Sequence, residues 1–249
     1  MDKKNDNFLI SYHTLRQLIG VLGILLPFLC WAVNAFINRM DFLNNPIFTD
    51  AWQSSAYTPG KDLKPSVSDF YYSASGPFFT GVLITVAIFL FSYKGYDKDD
   101  KNDRYAWITD KLLANTGALS LLGIVVFPTA SKIKLTDNIH IFVASGEIGR
   151  IHIACAGIFF LSMAVMSLVN FRRNPGKVLI ISGKGLMFLV CGWIMIAGIV
   201  ILAAGFALSK TDVWLNGIFV FVIEVVMLLA FGLSWLTKGK SQLTERILQ

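Results

Sequence analysis

Hydrophobic residues along this chain are gathered into six long stretches that polar segments separate. Each stretch has 17 to 24 residues and has the pattern of a membrane span: 17–37, 77–93, 112–128, 151–171, 185–208 and 213–236. A helix of about 20 apolar residues crosses the roughly 30 Å of hydrocarbon in a bilayer. Because lipid offers no hydrogen bonds, the backbone must pair within its own helix. The pattern predicts an all-α fold, a polytopic membrane bundle of six transmembrane helices that forms a single domain over residues 1–249.

The composition agrees with a chain that lies mostly in lipid. Of the 249 residues, 55% are hydrophobic and 15% are charged, whereas a soluble domain carries about 25% charged residues. The six stretches together hold a single charged side chain, that of Glu224. This excludes a soluble enzyme and a disordered or fibrous chain. Cys30, Cys155 and Cys191 all fall inside the stretches, which indicates neither a disulfide framework nor a zinc knuckle.

Lys and Arg residues are distributed unequally between the two predicted sides of the membrane. The segments on the side of the termini hold 15 of them, and the segments on the other side hold 7. Positively charged loops stay in the cytoplasm. Both termini are therefore predicted to be cytoplasmic, in a multi-pass protein of the cell (inner) membrane. The net charge of +6 is this orientation signal and needs no nucleic acid. Membrane lipids are the expected partners, and a homo-oligomer or a partner membrane protein stays open.

The connection over residues 38–76 is the longest in the chain. It has 39 residues, includes three prolines and lies on the predicted outer side. Connections of this length in a compact domain usually have a function. We expect the loop to fold over the outer mouth of the bundle, and the role of residues 38–65 stays open.

Glu224 is the most distinctive residue of the chain, since it lies about 11 residues from either end of its predicted span. A charge at the centre of a bilayer costs roughly 2.5–3.5 kcal/mol. The cost falls where the carboxyl group finds hydrogen-bond donors inside the bundle. Counting depth along the antiparallel spans places four donors near its level: Thr85, Ser120, Ser162 and Trp193. Glu224 therefore either links helices or binds a proton or a ligand in a cavity.

A second group of polar residues lies on the predicted outer side, at the start of the fourth span and just before the second. The group includes His152, Asp69, Tyr71 and Tyr72. If the loops fold inward, these side chains share one mouth with Glu224.

The same residues offer two catalytic alternatives. A zinc site would use His140, His152 and Asp69 as ligands, with Glu147 as a base. The two His are 12 residues apart and form no HxxxH or HExxH motif. Ser73 or Ser75, with His152 and Asp69, would form a nucleophilic triad, but any chain with this many serines offers such a set.

Glycines pattern the faces of several predicted helices, and small residues let lipid-embedded helices approach closely. We expect them to mark helix contacts: Gly20, Gly23, Gly117, Gly123, Gly192, Gly198 and Gly205.

Four stretches together resemble an uncharacterised family of six-span prokaryotic membrane proteins that is catalogued as a domain of unknown function. They are FYYSASGPFFTGVLITVAIFLFSYKGYD (70–97), VVFPT (125–129), HIACAGIFFLSMAVMSL (152–168) and FVIEVVMLLAFGLSWLTKGK (221–240). The resemblance implies a six-helix fold and includes Glu224 and His152, but it implies no activity. A fainter likeness is to membrane hydrolases of the alkaline ceramidase and adiponectin receptor type. Those have seven spans and a zinc held by three His, whereas this chain has six spans and lacks the third His on that side.

Three functions follow as hypotheses. The first is a non-enzymatic protein without a cofactor that binds or transports a small hydrophobic or lipid ligand or a proton. Its cavity would contain Glu224, His152, Tyr71, Tyr72, Asp69, Ser120 and Trp193. The second is a membrane-embedded, metal-dependent hydrolase of lipid amides or esters that uses the zinc site. The third is an accessory or structural membrane subunit whose Glu224 faces lipid until a partner helix covers it.

Overall fold

The structure of this protein is a computed structural model, which describes residues 11–38, 62–95, 107–130, 145–173, 179, 183–208 and 214–240. Within these residues the regular structure is helical and contains no strand, so the all-α prediction is confirmed. Six α-helices overlap the six predicted stretches, with ends that differ by one to six residues. In chain order they are α1 (Tyr12–Asn38), α2 (Gly76–Phe91), α3 (Asp110–Val126), α4 (Gly146–Leu168), α5 (Lys184–Ala207) and α6 (Phe219–Lys238).

Four of the helices, α1, α4, α5 and α6, are long and apolar enough to cross a membrane. The other two are shorter: α2 has 16 residues and α3 has 17, at or below the lower limit of about 17 residues for a span. The prediction of a membrane protein is supported to this extent. Six spans and the cytoplasmic position of both termini stay predictions.

The six helices form a closed ring in which each helix packs against the next one along the chain. The ring closes because α1 packs against α6. At this seam two glycines meet: a Cβ on Gly20 would lie 2.7 Å from the carbonyl oxygen of Gly232, and a Cβ on Gly232 would lie 2.6 Å from that of Gly20. The backbones can approach this closely only because neither residue has a side chain. Gly20 therefore marks a helix contact, as predicted.

Aromatic rings fill the half of the bundle that lies toward the predicted inner side. Phe159 packs against Phe231 with ring centroids 5.4 Å apart, and Phe231 packs against Trp235. Trp235 in turn lies 5.1 Å from the Tyr93 ring and 5.2 Å from the Phe171 ring. All five rings are buried. This half of the described bundle is a packed core.

A polar cluster closes the predicted inner end. Asp110, which is 3% exposed, accepts hydrogen bonds from Asn170 Nδ2 (2.5 Å) and from the Tyr93 hydroxyl (3.3 Å). The Arg16 guanidinium lies 5.4 Å from the centre of the Tyr93 ring, and Lys238 Nζ lies 5.1 Å from that of Phe171. The carboxylate, the two cations and the aromatic rings hold the ends of α1, α3 and α6 together.

Residues 62–75, named the roof segment below, lie across the opposite end. Asn34 Nδ2 donates to the carbonyl oxygen of Asp62 (2.9 Å), and the Tyr72 hydroxyl donates to that of Thr129 (2.5 Å). The segment contains a 3₁₀ helix, Ser68–Tyr72, whose Phe70 is fully buried. The described part of the long loop therefore folds over the mouth of the bundle, as expected. Residues 39–61 lie outside the described residues.

The glycine seam gives a test of the ring. Gly20→Val places two methyl groups where the α6 backbone stands, and overpacking of this kind typically costs about 1–3 kcal/mol. Gly81→Val is the matched control, since a Cβ on Gly81 of α2 meets nothing within 4 Å. We expect thermal unfolding of the purified protein in detergent to show a clearly lower midpoint for Gly20→Val than for Gly81→Val. Equal midpoints would contradict the α1–α6 contact.

Candidate functional site

Glu224 lies nearer one end of its helix than the hydrophobic pattern indicates. The apolar stretch 213–236 is divided, because Leu215 and Gly217 have positive φ angles of 52° and 84° and α6 begins only at Phe219. At 1.5 Å per residue, Glu224 is about 8 Å from the first residue of α6. The mid-span depth predicted for Glu224 is thus corrected: the carboxyl group is at the level of the roof segment.

The backbone of the roof segment supplies the donors for this carboxyl group. The Val67 N–H donates to Glu224 Oε2 at 2.6 Å, and the Ser68 N–H also interacts with the carboxyl group. These N–H groups open the 3₁₀ helix Ser68–Tyr72, where a helix has no partners of its own for its first donors. In the other direction, the Phe221 N–H donates to the Pro65 carbonyl oxygen at 2.9 Å. The Glu224 side chain on α6 therefore caps the N-terminus of the 3₁₀ helix in the roof segment.

The four side chains expected near Glu224 have other surroundings. The hydroxyl groups of Thr85, Ser120 and Ser162 each donate to the carbonyl oxygen four residues earlier in their own helix. Trp193 is 58% exposed on α5 and does not line the cavity described below. The structure does not bring Ser120 or Trp193 to the carboxyl group, because depth along the helix says nothing about which way a side chain faces.

His152 is 3% exposed and joins α4 to the roof segment. Its Nδ1 lies 2.8 Å from the Phe127 carbonyl oxygen, and its Nε2 lies 2.8 Å from Ser68 Oγ. A carbonyl oxygen only accepts, so Nδ1 carries the proton; in the neutral ring Nε2 then accepts from the Ser68 hydroxyl. This hydrogen-bond pattern assigns the tautomer and makes Ser68 the donor.

A cavity of about 380 Å³ lies between α4, α5, α6 and the roof segment. Its polar wall contains Ser68, Asp69, His152 and Glu224, and Glu224 keeps part of its surface open. One to two helical turns further into the bundle the wall is apolar, with Phe160, Ile199, Leu202 and Met227. The volume is within the range of about 300–1,000 Å³ that is usual for small-molecule sites. The cavity is amphipathic, with its polar groups at the predicted outer end.

Three predicted residues of the roof segment have different surroundings. Asp69 lines the cavity, and its N–H donates to Ser66 Oγ at 3.0 Å. Tyr71 and Tyr72 contact each other edge to face, with centroids 5.2 Å apart, and neither lines the cavity. Burial raises the pKa of both phenols. The two tyrosines therefore pack against each other away from the cavity.

Lys64 adds a positive charge to this end of the bundle. It is 6% exposed; burial lowers the pKa of its ammonium group, and the carboxylates of Asp69 and Asp62 act against that shift. Sequence reasoning did not single out Lys64.

The proposed zinc ligands are not assembled among the described residues, which contain no group of three or more His, Cys, Asp or Glu able to hold a metal. His140 lies outside those residues, so the complete set stays untested. Both ring nitrogens of His152 already bond to protein groups. Glu147, the expected base, is an exposed residue that pairs with Arg150 at 2.9 Å.

The two serines proposed for a triad, Ser73 and Ser75, also form hydrogen bonds with groups other than His152. Ser73 Oγ donates to the Phe70 carbonyl oxygen and lies 2.8 Å from Ser75 Oγ. The serine that contacts His152 is Ser68, which sequence reasoning missed. No motif marks Ser68 among the many serines of the chain, and only the folding of the roof segment brings it to the imidazole.

Comparisons of the chain with protein-family models, with curated proteins and with solved structures gave no match. The resemblance to the six-span family therefore stays an expectation, and the site is interpreted from its own chemistry.

Removal of the cap should loosen the roof segment. In Glu224→Ala the Val67 N–H loses its acceptor, and an unpaired buried donor costs about 1–3 kcal/mol. We expect amide hydrogen exchange of peptides that cover residues 62–72 to become about ten-fold faster or more. Glu224→Gln keeps one carbonyl oxygen as acceptor, so its effect should be much smaller. Glu147→Ala, at an exposed glutamate of the same end, should leave exchange unchanged. Similar exchange in all three variants would contradict the capping role.

Proposed function

We propose that this chain is a multi-pass membrane protein that binds a small amphipathic or lipid-like ligand in the cavity beside Glu224. The polar group of the ligand lies against Ser68, His152 and Glu224, and its apolar part extends toward Phe160 and Met227. The observation that carries the proposal is the amphipathic wall of one cavity, with hydrogen-bonding groups at one end and an apolar interior beyond them.

Entry of the ligand from the bilayer fits the position of the cavity. Ile153 and Phe206 line it and are 48% and 41% exposed on the surfaces of α4 and α5. A single-chain lipid reaching this wall would keep its chain in apolar surroundings throughout. The proposal therefore names a lipid-like molecule in preference to a water-soluble metabolite.

Binding is favoured over passage through the bundle. Beyond the cavity the axis is occupied by the packed rings of Phe159, Phe231 and Trp235, and the Asp110 cluster closes the far end. A ligand would leave by the side from which it entered. Transport of a solute or of a proton is therefore not part of this proposal.

The inward direction of Glu224 supports a ligand site over an anchor for a partner helix. A carboxyl group that anchors a partner helix would face lipid when that helix is not bound, whereas Glu224 bonds to Val67 and borders the cavity. In this proposal all six helices span the cell membrane, both termini lie in the cytoplasm and the roof segment lies outside.

Filling the cavity tests the ligand site. A Cβ on Gly157, which lines the cavity, meets nothing within 4 Å, so Gly157→Leu adds bulk at the cavity wall from a Cβ that displaces no neighbour. Gly81→Leu is the matched control on α2. The probe is a photoactivatable, clickable fatty acid in nanodiscs. We expect crosslinks to residues 152–160 and 199–206 in the wild type and in Gly81→Leu. In Gly157→Leu they should fall about ten-fold or more, which corresponds to at least ~1.4 kcal/mol.

The opposite result is also informative. Wild-type labelling that avoids both peptides, or labelling that is equal in Gly157→Leu and Gly81→Leu, would overturn the ligand site.

The topology is tested at the two ends of α3, one of the two short helices. Ala130 follows α3 and Trp107 precedes it, and both are exposed. In intact cells a membrane-impermeant maleimide should modify Ala130→Cys. It should modify Trp107→Cys only after the membrane is permeabilised. Modification of both cysteines in intact cells would mean that α3 does not span, and the opposite pattern would reverse the orientation.

A further inference from the structure

We propose that Ser68 and His152 form a nucleophile–base pair that cleaves a carboxylic ester of a lipid-like substrate bound in this cavity. The inference rests on the proposed ligand site and adds a reaction to it. Its basis is the chain of two hydrogen bonds from Ser68 Oγ to His152 Nε2 and from His152 Nδ1 to the Phe127 carbonyl oxygen, each 2.8 Å long.

The direction of these bonds is the one that nucleophilic catalysis requires. The Phe127 carbonyl holds the proton on Nδ1, which leaves the Nε2 lone pair facing the Ser68 hydroxyl. A serine becomes an effective nucleophile when a base at 2.6–3.2 Å accepts its proton and a third group orients that base. Here the third group is a backbone carbonyl, and no metal ion is needed for the serine to be activated.

The position of the pair also suits the reaction. Ser68 and His152 both border the cavity, whose apolar depth accommodates an acyl chain. Ser68 is the first residue of a 3₁₀ helix that Glu224 caps, and His152 is in the second turn of α4. Two separately anchored elements therefore hold the two groups together, and Glu224 acts as a positioning residue through the Val67 backbone.

The reaction balances with water as the second reactant. The Ser68 oxygen adds to the ester carbonyl carbon as its proton passes to His152 Nε2. The carbon–oxygen bond to the alcohol breaks, the alcohol leaves with that proton, and the acyl group stays on Ser68. Water then adds to the acyl carbon and gives a proton to Nε2. Release of the carboxylic acid returns this proton to the Ser68 oxygen, so that ester and water become acid and alcohol.

The experiment uses the full chain in nanodiscs and a biotin-tagged alkyl fluorophosphonate, which traps activated serines as stable phosphonate esters. We expect mass spectrometry of the labelled wild type to place the adduct on Ser68. Ser68→Ala should take up no adduct. His152→Asn should react at least about 100-fold more slowly, since a general base contributes about 10²–10⁴-fold. Ser162→Ala is the matched control, a buried α4 serine that bonds to its own helix, and it should react as the wild type does.

The outcomes separate this inference from the ligand site. The inference is overturned by an unlabelled wild type, by an adduct on another serine or by undiminished labelling of His152→Asn. If fatty-acid crosslinking in the cavity persists in that case, the ligand site stands without the reaction. The wild-type adduct position decides the question even where a variant misfolds, and a thermal unfolding midpoint in detergent close to that of the wild type shows that Ser68→Ala and His152→Asn are folded.

Discussion

The hydrogen bond from the Val67 N–H to the Glu224 carboxyl group, 2.6 Å long, is the interaction on which the rest of the site depends. Each partner would be costly alone: a carboxyl group in an apolar helix has few donors, and a buried backbone N–H needs an acceptor. Together they satisfy both requirements and fix the roof segment to α6. That attachment places Ser68 against His152 and completes the polar wall of the cavity. This contact between distant parts of the chain thus helps to shape the polar wall of the cavity.

Hydrophobic patterning predicted the helices well because lipid forces an apolar stretch to satisfy its backbone internally. It failed at the start of α6, where the apolar run continues through residues 213–218 although Leu215 and Gly217 turn the chain. Hydrophobicity does not register a backbone conformation, so Glu224 was placed at mid-span instead of near the roof segment. The glycine pattern predicts only one side of the seam between α1 and α6, because it includes Gly20 and not its partner Gly232.

Prediction of the site succeeded for isolated residues and failed for their partners. Glu224 and His152 are conspicuous because a carboxyl group and an imidazole are rare within apolar stretches. Their contacts come from a loop backbone and from Ser68, and no periodicity places an irregular segment inside a bundle. The serines and threonines chosen by depth satisfy their own helices instead, as Ser120 and Ser162 do. Sequence reasoning predicts a carboxyl group that bonds to neighbouring helices. In the described residues the carboxyl group bonds to the roof segment instead, and the roof segment also carries the serine that contacts His152.

The most direct test of this account is a dipolar-recoupling measurement by solid-state NMR on the protein in bilayers. The labels are ¹³C at the glutamate carboxyl carbons and ¹⁵N at the valine amides, and the Glu224→Gln variant identifies the Glu224 signal. The account predicts strong dephasing of that signal and its clear loss in Val67→Ala, which removes the ¹⁵N label at residue 67 but keeps those of the adjacent Val225 and Val226, as required for a carboxyl oxygen 2.6 Å from the Val67 nitrogen. Equal dephasing of the Glu224 signal in the wild type and in Val67→Ala would mean that the carboxyl group does not hold the roof segment. The cavity and its serine–histidine pair would then lose their basis.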